Sequence, residues 1–264
     1  MDLGVKGRMA VIAASSKGLG FACALEFARE GAAVAICSHN QSNIRDAEKQ
    51  LLAAVPGARV HAMTVDLSSD DECRRFVDES ASVLGRLDIL VTNCGGPPPG
   101  SFDQVSMETL RANIDATMMA PIAMMKAAVP HMRRNAWGRI VNLLSLTVKQ
   151  PRSSLVISNT LRLGVVGYAR TLANDLAREG ITVNNIATGY ARTERLDELA
   201  EHTATTQSRE MDDVFADWER VIPAQRLGRP EELAAVVAFL GSERASYVTG
   251  VTMRVDGGWN QSLY

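Results

Sequence analysis

The chain has 264 residues, of which 46% are hydrophobic and 22% are charged, and its formal net charge is −2. This composition is ordinary for a protein with a buried core, and the nearly balanced charge argues against a nucleic-acid-binding surface. The longest apolar stretch, residues 116–130, contains Lys126 and is too short to span a bilayer. We therefore expect neither nucleic acid nor a membrane among its partners.

Four cysteines are spread along the chain without a Cys-x-x-Cys pair and without a histidine at zinc-ligand spacing. This pattern favours buried thiols in a reducing compartment over a metal site, so no metal is expected. Residues 1–6 do not have the pattern of a signal peptide. The sequence thus predicts a cytoplasmic protein.

Short β-branched segments alternate with longer amphipathic ones from the first strand to the last. The predicted strands are residues 8–13, 33–37, 59–65, 88–92, 139–144, 181–186 and 251–255. The predicted helices are residues 19–30, 44–55, 70–84, 107–134, 154–178 and 231–240. Apolar strands separated by helices predict a doubly wound (Rossmann) α/β fold, with a parallel sheet of about seven strands and helices on both faces. No linker interrupts the pattern, so residues 1–264 are predicted to form a single domain.

One segment, residues 191–224, does not follow this alternation. It is polar and acidic, with weak helical patterning. A long excursion of this kind inside a compact domain is often a lid or binding loop. The alternative is a solvated pair of surface helices.

The turn after the first strand carries two glycines and opens a helix. Backbone amides at such a turn approach a pyrophosphate closely, and the helix dipole favours its negative charge. The residues expected to bind a dinucleotide here are Ser15, Ser16, Lys17, Gly18, Leu19 and Gly20.

This turn resembles the T-G-x-x-x-G-x-G fingerprint of the short-chain dehydrogenases/reductases, in particular the 3-oxoacyl-ACP-reductase-like members. Gly18 and Gly20 match the last two glycines, whereas Ala13 and Ala14 replace the threonine and the first glycine. An alanine would strain the turn only if its φ angle must be positive.

The end of the second strand favours NADP(H) over NAD(H). Members that prefer NAD place a carboxylate there for the ribose hydroxyls, but this chain has Ser38 and His39. Ser38 leaves room for a 2′-phosphate, and Lys17 brings a cation to the same place. His39 occupies the position where NADP-binding relatives often carry an arginine, and its charge depends on pH.

Further segments resemble other cofactor contacts of this family. The residues that this resemblance implies are Asp66 and Leu67 after the third strand, Asn93 and Gly95 after the fourth, and Thr188, Gly189 and Thr193 after the sixth. Segments 227–234 and 250–258 are similar to the family's last helix start and closing strand, so the resemblance covers nearly the whole chain.

The catalytic segment resembles the family in part. Ser145 matches the serine that bonds the substrate carbonyl, and Asn113 resembles the asparagine that holds a water in the proton relay. The family's Tyr-x-x-x-Lys motif is expected at 158 and 162, where this chain has Ser158 and Arg162. Serine is a much weaker acid than tyrosine, and arginine keeps its positive charge without carrying protons.

Three interpretations follow. In the first, the protein transfers a hydride between NADP(H) and a carbonyl or alcohol substrate, with Ser145, Ser158 through water, or Tyr190 as the proton donor. Arg162, besides holding the nicotinamide ribose, could instead recognise a carboxylate or phosphate on an unusual substrate. In the third interpretation the fold binds NADP(H) without redox turnover, as a sensor or structural partner. The sequence favours an oxidoreductase acting on a small molecule, and the resemblance implies a homo-oligomer, a tetramer or a dimer.

Overall fold

A computed structural model describes residues 2–263, so the two terminal residues of the predicted domain, Met1 and Tyr264, lie outside the described residues. The strands are β1 (Met9–Ile12), β2 (Ala33–Ser38), β3 (Val60–Thr64), β4 (Ile89–Thr92), β5 (Gly138–Ser145), β6 (Ile181–Thr188) and β7 (Thr252–Val255). They form a parallel sheet in the order β3-β2-β1-β4-β5-β6-β7. This confirms the doubly wound α/β fold and the number of strands. The order reverses direction between β1 and β4, which is where such folds bind ligands.

The helices lie on the two faces of this sheet. They are α1 (Gly18–Arg29), α2 (Gln41–Ala54), α3 (Asp70–Leu84), α4 (Met107–Ala112), α5 (Ala120–Arg134), α6 (Val156–Leu176), α7 (Glu194–Gln207), α8 (Met211–Val221) and α9 (Pro230–Leu240). No helix within residues 2–263 has both the length and the apolar character needed to cross a membrane.

The core is divided by the sheet into two hydrophobic layers, because successive strand residues point to opposite faces. Val11 and Phe76 lie in the layer beneath α3, α5 and α6. Ile12 and Phe27 lie in the layer beneath α1, α2 and α9. The four cysteines are buried and unpaired.

The long helix predicted over residues 107–134 is wrong in one respect, because it is interrupted. Helix α4 ends at Ala112, and residues 115–119 form a wider π-helical turn before α5 begins. Pro121 accounts for the break: it has no N–H to donate to the carbonyl of Thr117, and its ring crowds that carbonyl.

Residues 191–224 form a helix pair, the alternative to an irregular loop. Helices α7 and α8 share a small hydrophobic cluster of their own, which contains Leu196, Ala200 and Phe215. The pair is not confined to solvent, because the first turn of α7 lines the cavity described below. That this segment opens and closes as a lid stays a prediction.

Candidate cofactor and active site

A cavity of about 810 Å³ lies at the carboxyl ends of the strands. Residues that follow each of the strands β1 to β6 contribute to its wall. The cavity therefore lies at the topological switch point, where a doubly wound sheet binds its ligands. Among residues 2–263, no group of three or more histidine, cysteine, aspartate or glutamate side chains is arranged to hold a metal ion.

The β1–α1 turn presents an uncapped helix N-terminus to this cavity. Lys17 is the N-cap of α1 but makes no capping hydrogen bond, and no acidic side chain lies in the first turn. By contrast, α2 and α3 are capped by the side chains of Asn40 and Ser69. The first N–H groups of α1 thus lack a side-chain cap, and Ser16, Gly18 and Leu19 line the cavity beside them.

Ala14 adopts a left-handed backbone conformation with φ of 46°. An L-residue with a Cβ is strained in this region, so the replacement of the family's glycine is accommodated at a cost. The amide of Asn93 donates a hydrogen bond of 3.1 Å to the Ala14 carbonyl and thereby ties β4 to the turn. Asn93 and Gly95 both line the cavity, as expected.

Gly20 and Ser15 do not line the cavity, contrary to their predicted role as direct cofactor contacts. A Cβ at Gly20 would lie 2.4 Å from the Ala14 carbonyl oxygen, so this glycine permits close packing of α1 on the turn. Ser15 is fully buried. Its hydroxyl donates to the Ile12 carbonyl at 2.7 Å and accepts from the Cys37 N–H at 3.1 Å. Both residues therefore support the conformation of the turn without lining the cavity.

Beside the β1–α1 turn, the ends of β2 and β3 line the cavity with Ser38, His39, Asp66 and Leu67, as the sequence predicts. The Ser38 side chain is buried and accepts a hydrogen bond from the backbone N–H of Asn40 at 3.2 Å. Hydrogen bonds from Ser68 lower the pKa of Asp66, with a smaller contribution from His39. No carboxylate stands at the end of β2, so this part of the wall leaves space beside Ser38.

Lys17 lines the cavity and forms an ion pair with Glu194, at the start of α7. This hydrogen bond raises the pKa of Lys17 above its usual value. Thr193, the N-cap of α7, also faces the β1–α1 turn, since its Cγ2 would lie 3.6 Å from a Cβ built on Gly18. The first turn of α7 therefore approaches the β1–α1 turn across the cavity.

Hydroxyl groups cluster where β5 ends and α6 begins. Ser145 lines the cavity, and its oxygen accepts the Thr147 N–H at 3.3 Å. The hydroxyls of Thr147 and Ser158 are 3.1 Å apart. Ser158 is only 5% exposed and does not line the cavity itself, whereas Thr147 does. Ser158 thus reaches the cavity through Thr147, not directly.

Arg162 lines the cavity one helical turn after Ser158 and is 7% exposed. Its Nη1 donates to the Leu143 carbonyl at 3.3 Å, and its Nε has no hydrogen-bond partner among residues 2–263. A buried guanidinium with unused donors is costly unless an acceptor satisfies it. The guanidinium is therefore placed to donate a hydrogen bond to an oxygen of a ligand.

Tyr190 lies in the cavity wall, and its ring stacks on Trp218 with centroids 4.8 Å apart. Its phenolic oxygen accepts a hydrogen bond from Arg152. Burial raises the pKa of Tyr190, and the nearby Arg152 charge offsets only part of this effect. The tyrosine is consequently a weaker acid here than in water.

Asn113 does not line the cavity, which differs from its predicted place in a proton relay. It is the C-cap of α4, and its amide donates to the Thr109 carbonyl at 2.8 Å. The side chain is engaged in terminating the helix just before the π-helical turn.

The segment after β6 lies at the predicted position. Thr188, Gly189 and Thr193 line the cavity, and Thr188 pairs in register with Ser145 on the neighbouring strand. A Cβ at Gly189 would lie 2.6 Å from the Cα of Asp256, so only glycine fits at this crossing.

Several wall residues carry no sequence signal of their own. Thr147, Arg152 and Trp259 line the cavity, and so does Arg195 of α7. Arg195 donates to the Pro97 carbonyl at 3.0 Å and joins α7 to the loop after β4. These residues meet through contacts between distant parts of the chain, which motif spacing does not encode.

In comparisons with known proteins, most of the chain matches a single protein family. The family described as enoyl-(acyl carrier protein) reductase matches residues 13–260. The NADPH-dependent reductase BacG of Bacillus subtilis is 31% identical over 256 residues, covering 97% of this chain and 99% of that protein. Human dehydrogenase/reductase SDR family member 4 is 32% identical over 252 residues, covering 95% and 87%.

A solved structure supports the same relationship. The L-sorbose reductase of Gluconobacter frateurii, solved in complex with NADPH and L-sorbose, superimposes with a TM-score of 0.93 at 30% sequence identity. The match covers all of both chains.

Proposed function

The chain belongs to the short-chain dehydrogenase/reductase family, and from this premise we propose that it is an NADPH-dependent reductase of a carbonyl substrate with an altered active site. The observation that supports this most is one continuous cavity, which joins the uncapped N-terminus of α1 to Ser145 and Arg162. A dinucleotide and a small substrate can share such a cavity end to end.

The residues present fit an NADP(H) molecule. The free N–H groups of α1 suit the pyrophosphate, and Ser38 and His39 leave room for the 2′-phosphate beside Lys17. The absence of a carboxylate after β2 removes the feature that favours NAD. Several relatives are named as NADPH-dependent or were solved with NADPH, which agrees with this assignment.

We assign Ser158 and Arg162 to the positions of the family's tyrosine and lysine. They lie four residues apart on α6, where Arg162 donates a hydrogen bond to the Leu143 carbonyl of β5. The assignment implies that this site lacks the usual phenolic acid but keeps the positive charge. Arg162 would hold a ribose hydroxyl and stabilise negative charge on the substrate oxygen.

Bound NADPH supplies the hydride that reaches the carbonyl carbon. The Ser145 hydroxyl donates a hydrogen bond to the carbonyl oxygen, and the Arg162 guanidinium stabilises the alkoxide that forms there. Ser145 then passes its proton to that oxygen and recovers one from water, while the Thr147 backbone N–H donates to the Ser145 oxygen. The serine alkoxide that forms has a basicity similar to that of the substrate alkoxide, so the transfer is close to balanced even though serine is a weak acid. The loss of an optimal general acid predicts slow turnover, by about 10²–10⁴-fold.

Tyr190 belongs to the wall of the site in this proposal. Its oxygen accepts a hydrogen bond from Arg152, and burial raises the pKa of Tyr190, which makes its proton harder to release. Its role is to shape the substrate space together with the neighbouring aromatic rings.

The test is NADPH consumption with a panel of ketones, aldehydes and ketoacyl thioesters. Wild type is compared with Ser145→Ala, Tyr190→Phe and the double variant Ser158→Tyr/Arg162→Lys. We expect slow turnover by wild type, a further loss of about 10²-fold in Ser145→Ala, and less than about tenfold change in Tyr190→Phe.

Turnover by the double variant alone would overturn the proposal, because the scaffold would then be intact but without redox chemistry of its own. Loss of turnover in Tyr190→Phe alone would instead move the proton donor from Ser145 to Tyr190.

A further inference from the structure

The loop before α6 carries Arg152, whose guanidinium has no part in the reaction described above. The Arg152 backbone is held on both sides by Asn159, whose Oδ1 accepts the Arg152 N–H at 3.3 Å. The Asn159 Nδ2 donates to the Arg152 carbonyl at 2.8 Å. Since Asn159 adjoins Ser158 on α6, these two bonds fix the loop relative to the candidate active site.

Aromatic rings hold the Arg152 side chain in the cavity wall. Its guanidinium carbon lies 5.3 Å from the Tyr190 ring centroid and 5.2 Å from the Trp259 ring centroid. One Nη1 hydrogen is donated to the Tyr190 oxygen. The remaining donors of the planar guanidinium are available to a second acceptor, because its fork carries five N–H groups.

The charge of Arg152 has no carboxylate partner among the described residues. Lys17 and Arg195, at the rim of the same cavity, pair with Glu194 and Glu198. Within residues 2–263, Arg152 forms no ion pair with a carboxylate, and neither does Arg162. The inner wall therefore carries two guanidiniums without carboxylate partners, while the rim is balanced.

We infer that the substrate carries a carboxylate in addition to its carbonyl group, and that Arg152 binds this carboxylate. The inference rests on the proposed reductase function and names the substrate class. A planar carboxylate matches two parallel N–H donors of arginine. Leu155, Leu199 and the Trp259 ring supply apolar contacts for the rest of the molecule.

The test compares oxo acids with their methyl esters. Binding of 4-oxopentanoate, 3-benzoylpropionate and each methyl ester is measured by titration calorimetry, with and without saturating NADPH. The phosphonate analogue of 3-benzoylpropionate is titrated in parallel. We expect at least one acid to bind about tenfold or more tightly than its ester, as a charge-assisted bidentate contact predicts.

Variants test whether Arg152 is the source of the preference for the acid over the ester. Arg152→Met is expected to remove it, whereas Arg152→Lys, which keeps the charge but not the fork, retains part of it. Arg74→Met, at an exposed arginine of α3, serves as the matched control with an unchanged ratio. Far-UV circular dichroism verifies that each variant is folded.

Equal binding of acid and ester by wild type overturns the inference, and this arm needs no variant. An unchanged ratio in folded Arg152→Met overturns it as well, and tighter binding of the phosphonate overturns the choice of carboxylate. Binding of an acid without any NADPH consumption would reject the reductase proposal and leave the carboxylate site standing. Turnover of esters without preference for acids would do the reverse.

Discussion

The ammonium of Lys17 and the carboxylate of Glu194 form an ion pair that joins the β1–α1 turn to the first turn of α7. Both side chains are more than half exposed, so the pair exchanges readily with other partners. In the proposed complex, Glu194 competes with the 2′-phosphate of NADPH for Lys17.

Two substitutions test whether Lys17 binds the 2′-phosphate and whether Glu194 competes for it. Glu194→Gln frees Lys17 and is expected to tighten NADPH binding about two- to fivefold, the range of an exposed ion pair, without changing NADH binding. Lys17→Met is expected to weaken NADPH binding about tenfold and NADH binding much less. Both affinities are measured by titration of nicotinamide fluorescence. Lys49→Met, at an exposed lysine of α2, is the control. Equal losses for both cofactors in Lys17→Met would reject Lys17 as the phosphate discriminator.

The strained alanine of the β1–α1 turn gives a prediction on stability. Because Ala14 has φ of 46°, Ala14→Gly removes a steric cost that exceeds the added entropy of the unfolded chain. The free energy of unfolding is expected to rise by up to about 1 kcal/mol, measured by urea denaturation. Ala13→Gly, at the fully buried neighbour without positive φ, should lower it. A loss in both variants would contradict the strain at Ala14.

Gly20 and Gly167 form a matched pair of helical glycines. A Cβ at Gly20 would lie 2.4 Å from the Ala14 oxygen and 2.9 Å from the Ser15 Cα, so Gly20→Ala must displace the turn. We expect a loss of about 1–3 kcal/mol in stability together with weaker NADPH binding. Gly167 in α6 has open space around it, and Gly167→Ala should gain about 0.5–1 kcal/mol. Normal NADPH binding by Gly20→Ala would show that the turn does not hold the cofactor.

The N-terminus of α9 predicts a pH dependence. The Arg226 side chain and the Arg229 N–H lower the pKa of Glu232 to about 2. A carboxyl whose pKa is lowered by folding stabilises the fold above its unfolded pKa of about 4.3 and loses this contribution as the pH falls toward 2. The stability difference between wild type and Glu232→Gln should therefore shrink across that window in urea titrations. Glu231→Gln, at the neighbouring residue, is the control. A difference independent of pH would contradict the ion pair.

Much of the fold follows from local patterns. Each of the seven predicted strands is present, since continuous apolar segments are what a sheet buried on both faces requires. Glycine spacing also located the β1–α1 turn that lines the cavity. The break before Pro121, by contrast, does not follow from the amphipathic pattern, which continues over residues 107–134.

The candidate site was predictable where it follows strand ends and less so where it depends on packing. Ser145 and Thr188 line the cavity because their strands end there. Ser15 faces away, since its hydroxyl bridges β1 and β2, an orientation that a motif does not specify. Arg152 reaches the cavity through its contacts with Tyr190 and Trp259, which are distant in sequence.

Transfer of deuterium tests the central claim most directly. Wild type is incubated with NADPH labelled at C4 on either face and with the carbonyl and oxo-acid panel, and the products are analysed by mass spectrometry. We predict that one of the two labelled forms gives an alcohol with a single deuterium on the former carbonyl carbon, and that Ser145→Ala gives about 10²-fold less. Saturable binding of NADPH with no deuterium in any product from either label would contradict hydride transfer by this site.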